Sequence, residues 1–227
     1  EVTLLGQTVN SWYEPGVEPE GRTAPSGSQF AELLRRIATD VPGLLRLRYT
    51  SPHPRHLTDA LVDAHATLPV LPAHVHLPVQ SGSNAVLKRM SRRYTREHYI
   101  ERVNVLRARR PDLTLSTDII VGFPGETDQD FEDTLALVRE VGFVAAFGFK
   151  YSVRPKTPAQ KLDDDVPEHV KDARLARLFE TVAVQQVAHL DALVGTTQSV
   201  LVEGPSRGDA PNRFMGRSGR HEIVHLD

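Results

Sequence analysis

No cysteine occurs anywhere in the 227 residues. That excludes disulfides, thiolate zinc sites and a cysteine nucleophile in this chain. It also excludes an iron–sulfur cluster ligated by these residues, because such clusters are held by thiolates. No apolar run approaches the ~20 residues that cross a bilayer. No basic, apolar and small-residue leader opens the chain, so the expected location is cytoplasmic, with no membrane partner. A glycine-rich dinucleotide fingerprint is missing, and there is no internal repeat or low-complexity tract. Net charge is only −2, which by itself points to no class of partner.

The balance hides local asymmetry. Lys88 to Arg110 carries nine basic residues (88, 89, 92, 93, 96, 102, 107, 109 and 110) against Glu97 and Glu101. Asp112 to Glu140 is acidic. Gly204 to Arg220 carries Arg207, Arg213, Arg217 and Arg220 against Asp209. Basic faces of this kind can meet phosphates even in a near-neutral chain, although a solvated helix face explains the first run as well. The text opens at Glu1 inside a strand-like run and closes inside another, Ile223-Val224-His225-Leu226, so it reads as a piece of a longer protein.

Short β-rich runs alternate with helical periods. Strands are expected at 2–5, 44–49, 75–79, 113–123 and 144–151. Helices are expected after Ser28 and Thr58, at about 83–90 and 95–109, and at 127–141. Such alternation marks parallel βα units, and five of them without the dinucleotide fingerprint point to a barrel, here incomplete. After Pro167 one long helix runs from Glu168 to Leu193, with Val170, Leu175, Leu178, Phe179, Val182 and Leu190 as its apolar positions. Beyond Gly195 only short strands and turns remain. The expected class is α/β: a partial (β/α) barrel over 1–190, followed by the start of a small all-β domain over 191–227.

Reacting groups of α/β barrels sit at the carboxyl ends of the strands. The polar clusters fall there: Gly6-Gln7-Thr8-Val9-Asn10, Thr50-Ser51-Pro52-His53-Pro54, Gln80-Ser81-Gly82-Ser83, Thr117-Asp118 with Gly122–Thr127, and Tyr151-Ser152-Val153-Arg154. The ring is rich in amides and hydroxyls and poor in carboxylates. It suits a polar small molecule better than paired-carboxylate hydrolysis. The Gly122–Thr127 turn precedes a helix and can receive an anion, as can many ordinary strand-to-helix turns. His74 and His76 form an H-x-H pair, with His53, His56 and His65 as further candidates. A metal-dependent barrel hydrolase is one alternative, although no clear carboxylate partner accompanies the pair except Asp118.

Five segments in order resemble the methylthiotransferase family of radical S-adenosylmethionine enzymes. They are Leu4-Leu5-Gly6-Gln7-Thr8-Val9-Asn10-Ser11, Thr50-Ser51-Pro52-His53-Pro54, His76-Leu77-Pro78-Val79-Gln80-Ser81-Gly82-Ser83, Ser116 through Thr127, and Phe149-Lys150-Tyr151-Ser152-Val153-Arg154. The first two look most like the branch that modifies N6-isopentenyladenosine in tRNA. Sister branches act on a ribosomal protein or on threonylcarbamoyl-adenosine. The tail from about Asp191 resembles the start of a TRAM domain, a small RNA-binding barrel.

The resemblance implies methylthiolation at C2 of the adenosine beside the anticodon. S-adenosylmethionine would be the cofactor. The full-length enzyme would hold two [4Fe-4S] clusters, neither ligated by this chain. An electron donor and a tRNA anticodon stem-loop would be the partners, and the protein would be a monomer. It implies that Gln7, Asn10, Gln80, Ser81, Asp118, Tyr151 and Arg154 line the cofactor and substrate pocket. Arg207, Arg213, Arg217 and Arg220 would meet RNA phosphates, contacts that position RNA without reading it. Two residues depart from the family pattern, Thr8 in place of Asn and Lys156 in place of Gly. The three-cysteine loop and the separate cluster domain are expected upstream of Glu1. Another alternative is a non-catalytic RNA-binding relative.

Overall fold

Four hydroxyls that precede helical runs act as caps. Thr58, Ser83, Thr95 and Thr127 accept the backbone N–H three residues on, from Leu61, Val86, His98 and Asp130. Each satisfies an amide that the first helical turn leaves without a partner. Thr127 adds the reciprocal contact, its own N–H donating to Asp130 Oδ2 at 2.9 Å. The helix after Ser28 is the exception: Gln29 holds its cap position without a side-chain bond, and Ser28 Oγ accepts Phe30 N–H at 3.2 Å.

The computed structural model describes residues 1–15, 28–153, 158–206 and 213–226. The order is β1 (Val2–Leu4), α1 (Phe30–Asp40), β2 (Leu47–Tyr49), α2 (Asp59–Thr67), β3 (His74–His76), α3 (Asn84–Arg89), α4 (Arg96–Arg109), β4 (Thr114–Val121), α5 (Asp128–Val141), β5 (Ala145–Lys150), α6 (Glu168–Leu193), β6 (Val200–Pro205), β7 (Phe214–Ser218) and β8 (Ile223–Leu226). The first five strands pair only in parallel. β1 lies beside β2, and β3, β4 and β5 form a second sheet in that order. The α/β class and the parallel βα units of the sequence reading are both present.

The wall differs from the expected one in two places. The strand foreseen over 75–79 stops at His76, because Pro78 has no N–H to give to a ladder. Val79 N–H turns instead to Thr117 Oγ1 at 2.9 Å, and Gln80 rejoins β4 through a single bridge to Ile119. β2 also does not pair with β3. Leu47 N–H donates to Val70 O, in the segment before β3, at 2.8 Å.

Alternation along β4 explains the two faces of the wall. Leu115, Ile119 and Val121 are fully buried against the helices, together with Leu47, Leu77, Tyr99, Leu106, Phe131, Leu137, Val138 and Phe143. Burying each such side chain stabilises the fold by roughly 1.5–3 kcal/mol. Ser116, Asp118 and Ile120, one residue out of phase, point to the other face, where cavities lie. α6 packs on this scaffold through Leu178 and Val182 as expected, but Phe179 and Leu190 are exposed. Buried cations take the remaining inward positions. Lys171 Nζ bonds both oxygens of Asp164 at 2.7 Å, and Arg174 pairs with Glu126 at 2.8 Å.

α6 ends at Leu193, and Gly195 follows with φ +78°, a left-handed conformation that glycine adopts at no steric cost. From Val200 the chain is antiparallel: β6 pairs β7 and β7 pairs β8, with an irregularity between Val202 and Gly204. This small sheet docks at the amino ends of the parallel strands. Arg46 donates to Arg217 O at 3.0 Å, Arg220 Nε donates to Asp112 O at 3.1 Å, and the rings of His74 and His221 stack at 5.2 Å.

Candidate cofactor pocket

The carboxyl ends of the parallel strands enclose a cavity of about 510 Å³, within the range of small-molecule sites. Gln7 and Thr8 follow β1, Ser51 and His53 follow β2, and Gln80 follows β3. Asp118 projects from β4, and Tyr151 and Ser152 follow β5. The backbone is unusual here. Thr8, Ser51 and Gln80 have φ of 52°, 52° and 71°. Left-handed conformations cost non-glycine residues about 1–2 kcal/mol each and persist where the surroundings impose them. Three of them border one cavity, which is how ligand sites concentrate strain.

Four of the expected pocket residues, Gln7, Gln80, Asp118 and Tyr151, line the cavity. Asn10 and Ser81 stand behind it. Asn10 clamps the loop after β2: its Nδ2 donates to His53 O at 2.9 Å and its Oδ1 accepts His53 N–H at 2.7 Å. Ser81 is fully buried; its Oγ accepts Ser83 N–H at 3.2 Å and lies 3.3 Å from Thr134 Oγ1. This loop sits so close to α5 that a Cβ on Gly82 would fall 2.5 Å from Thr134 Cα. Arg154 and Lys156 lie outside the described residues.

Arg92 supplies a cation that the sequence reading placed in the basic run rather than in the pocket. It follows the left-handed Ser91 (φ 58°) and lines the cavity beside His53. The rest of that run is largely engaged elsewhere. Arg89 donates to Gly125 O, Arg96 pairs with Glu140, Arg102 with Asp59 and Arg109 with Asp63. Solvated and ion-paired helix faces account for those four. The one signal that could have singled out Arg92 was its place just after the helix that follows Gln80.

His53 is neutral. Burial first, then the charges of Arg92, His56 and Arg55, push it down to about 4. Its Nδ1 accepts Arg55 N–H at 3.2 Å, which leaves the proton on Nε2. The aromatic edge of the cavity is Phe149, Phe123 and Tyr151, the last two in edge contact at 5.0 Å. Tyr151 O–H is used on Ala159 O at 3.2 Å.

The glycine-rich turn after β4 satisfies its own amides. Gly122 N–H donates to Glu126 Oε2 at 2.6 Å, Gly125 N–H to Asp165 Oδ1 at 2.7 Å and Glu126 N–H to Phe123 O at 2.8 Å. These amides are committed to structure, so an anion has no claim on them. Glycine at 122 meets two demands, a φ of +69° and Lys171 Cγ 2.4 Å from where a Cβ would stand.

A second cavity, about 590 Å³, lies at the opposite, amino ends of the strands. His74, His76, His189 and His221 line it, with Arg48, Arg217 and Arg220. Arg217 Nε is 3.2 Å from Glu203, and Arg220 Nη1 donates to Gln198 Oε1 at 3.3 Å. Arg213 is exposed, and Arg207 lies outside the described residues. Among the described residues no group of three or more His, Cys, Asp or Glu is placed to hold a metal ion. No helix among them is long and apolar enough to cross a membrane.

Polar groups at the carboxyl ends of parallel strands are common to many α/β enzymes, and the comparisons identify the family. The family model described as the Radical SAM superfamily matches residues 4–138, more than half of the chain, and the chain belongs to that family. Two curated relatives narrow the resemblance. A protein of Sorangium cellulosum (strain So ce56), named tRNA-2-methylthio-N(6)-dimethylallyladenosine synthase, is 64% identical over 237 residues. A protein of the same name from Agrobacterium fabrum is 49% identical over 229 residues. Both alignments cover 100% of this chain and 48% of the relative, so the chain spans about half the length of these proteins. Among solved structures, coproporphyrinogen III oxidase from Escherichia coli, described as a radical SAM enzyme, superposes with a TM-score of 0.50 at 14% identity. The match covers 96% of this chain and 65% of that one, and it supports the fold alone.

Proposed function

We propose that this chain is the cofactor-binding portion of a tRNA methylthiotransferase, acting at C2 of N6-isopentenyladenosine next to the anticodon. The observation that carries the reading is the convergence of Gln7, Gln80, Arg92, Asp118 and Tyr151 on one cavity, in a chain of the Radical SAM superfamily. The donor set fits S-adenosylmethionine. Arg92 offers a cation to the amino-acid carboxylate, Asp118 an acceptor for ribose hydroxyls or the amino group, and Gln7 and Gln80 amides that can both donate and accept. Phe123, Phe149 and Tyr151 offer ring edges to the adenine. Arg154, outside the described residues, is assigned to the carboxylate by the family resemblance alone. Asn10 and Ser81 serve the same pocket from behind, by fixing the loops that carry His53 and Gly82.

Bound S-adenosylmethionine supplies the radical and methyl-transfer chemistry. The residues of this chain bind and orient it. An iron–sulfur cluster does not fit these residues, since none of them can give a thiolate. Its ligands, the electron donor's docking surface and the second cluster belong to the remainder of a protein about twice this length. The all-β segment from about residue 191 acts as the start of a TRAM-like module. Arg213, Arg217 and Arg220, with Arg207, form its basic contribution toward RNA phosphate.

The test is a reaction of the full-length, cluster-loaded protein with an isopentenylated anticodon stem-loop, read by mass spectrometry of the nucleosides. A 2-methylthio adenosine supports the assignment. An unmodified RNA beside a modified ribosomal protein, or turnover only with threonylcarbamoyl-adenosine, moves it to a sister branch. Tight RNA binding with no cofactor-dependent product makes it a binding module.

A further inference from the structure

A run of side chains in polar contact links the two cavities along one face of the wall. His76 on β3 uses both ring nitrogens: Nε2 lies 3.3 Å from Asp118 Oδ1, and Nδ1 lies 2.9 Å from Ser116 Oγ. The same hydroxyl lies 3.0 Å from His74 Nε2. All four residues share the face of the wall away from the helices, and His76 and Ser116 are register partners. Phe147 meets the His76 ring edge-on at 5.7 Å, which limits its rotation.

A carboxylate oxygen accepts from a neighbouring N–H, so the contact with Asp118 is attractive in the tautomer that carries its hydrogen on His76 Nε2. In that tautomer Nδ1 accepts, and its donor is the Ser116 hydroxyl. Ser116 has spent its one hydrogen, so its oxygen accepts from His74 Nε2–H. The run points one way, from His74 through Ser116 and His76 to Asp118. His74 fits the start of such a run, because burial, then His221, Arg48 and His76, push it down to about 3 and keep it neutral.

We propose that His76 is a positioning residue for Asp118, holding Oδ1 through a side-chain relay so that the other carboxylate oxygen stays available to the ligand of the upper cavity. Among the described residues, Asp118 is the one carboxylate lining that cavity. Without a donor at Nε2, it would be free to rotate away from the cofactor. This rests on the reading of that cavity as the S-adenosylmethionine site.

The experiment uses the full-length, cluster-loaded protein, with S-adenosylmethionine binding followed by calorimetry and turnover split into kcat and KM. His76→Leu is expected to weaken binding and raise KM on the order of tenfold, as for side chains coupled in one network, with kcat within about twofold of the parent. His76→Gln, which keeps an N–H donor, should recover most of the loss, and Ser116→Ala should show a smaller loss of the same kind. Because Asp118 is the target, adding His76→Leu to Asp118→Asn should cost nothing further. Should His76→Leu unfold the protein, Ser116→Ala and the Gln variant carry the test. Parent-like binding by both His76→Leu and Ser116→Ala, or full additivity with Asp118→Asn, overturns the proposal. If Asp118→Asn itself leaves binding unchanged, the reading of the cavity fails, and this proposal with it.

Discussion

His65 shows what single residues contribute and when they fail. It is fully buried, its Nε2 2.6 Å from Tyr49 Oη, and burial, with Arg110 second, pushes it down to about 3. An unfolded histidine titrates near 6.5. Between those values the unfolded chain binds a proton that the folded chain refuses, so stability rises with pH there. The contribution is complete above pH ~6.5 and is lost as pH falls toward 3. His74, pushed to about 3, and His53 and His221, pushed to about 4, act in the same direction. Urea unfolding at pH 7, 6 and 5 should therefore show falling stability, with His65 alone giving about 1 kcal/mol per pH unit below 6. His65→Gln should flatten that slope, and an unchanged slope would refute the assignment. At this scale the sequence was informative about which loops matter and weak about which atoms face inward. Gln80 and Ser81 are neighbours, yet one lines the cavity and the other is sealed behind it. The left-handed backbones of Thr8, Ser51 and Gln80 left no trace in residue type, since none is glycine. Arg92 was lost among nearby cations because spacing does not tell a pocket arginine from one paired across a helix.

Elements were more legible, because caps and periodicity are local. The helix starts near 58, 83, 95 and 127 and the 168–193 helix stand where the sequence places them, whereas the cap expected at Ser28 falls to Gln29, which makes no side-chain cap bond. Strand ends were less so: Pro78 cut β3 short, and the pairing gap between β2 and β3 depends on the Val70 carbonyl. The inward face of α6 was also unexpected, since a helical period marks apolar positions and not buried cations. Arg174 is the key case. Its Nη1 bonds Glu126 Oε2, a carboxylate 1% exposed that also accepts Gly122 N–H, so α6, the turn after β4 and the start of α5 meet at one ion pair. Burial raises the Glu126 carboxyl above its ordinary range, and the Gly122 amide and Arg174 pull the other way. Arg174→Met should cost about 3–5 kcal/mol by stranding that charge. Glu126→Gln combined with Arg174→Met should cost less than Arg174→Met alone. Denaturant midpoints with equal slopes would measure both, and additive losses would argue against the pair.

For the whole molecule, fold class and order of units were readable because parallel βα alternation and the β-only tail are written along the chain. The placement of the tail was not. Its sheet docks at the amino ends of the strands, opposite the cavity at their carboxyl ends, through contacts such as Arg46 to Arg217 O and Arg220 to Asp112 O. Arg217 and Arg220 thus take part in docking as well as in the basic surface. In the full-length protein, Arg213→Met should lower the salt slope of RNA binding by about one unit. Arg220→Met should instead lower stability first, detectable as earlier melting. Equal salt slopes for the parent and Arg213→Met would remove that residue from the RNA interface.

The central claim is that the cavity at the carboxyl ends holds the cofactor, and its most direct measurement is calorimetric binding of S-adenosylmethionine to full-length, cluster-loaded protein carrying Arg92→Met. The account predicts binding weaker by about 10- to 100-fold, the loss expected for one charged hydrogen bond, with Arg217→Met, at the other cavity, binding as the parent does. Parent-like affinity in Arg92→Met, with the loss appearing in Arg217→Met, would contradict it.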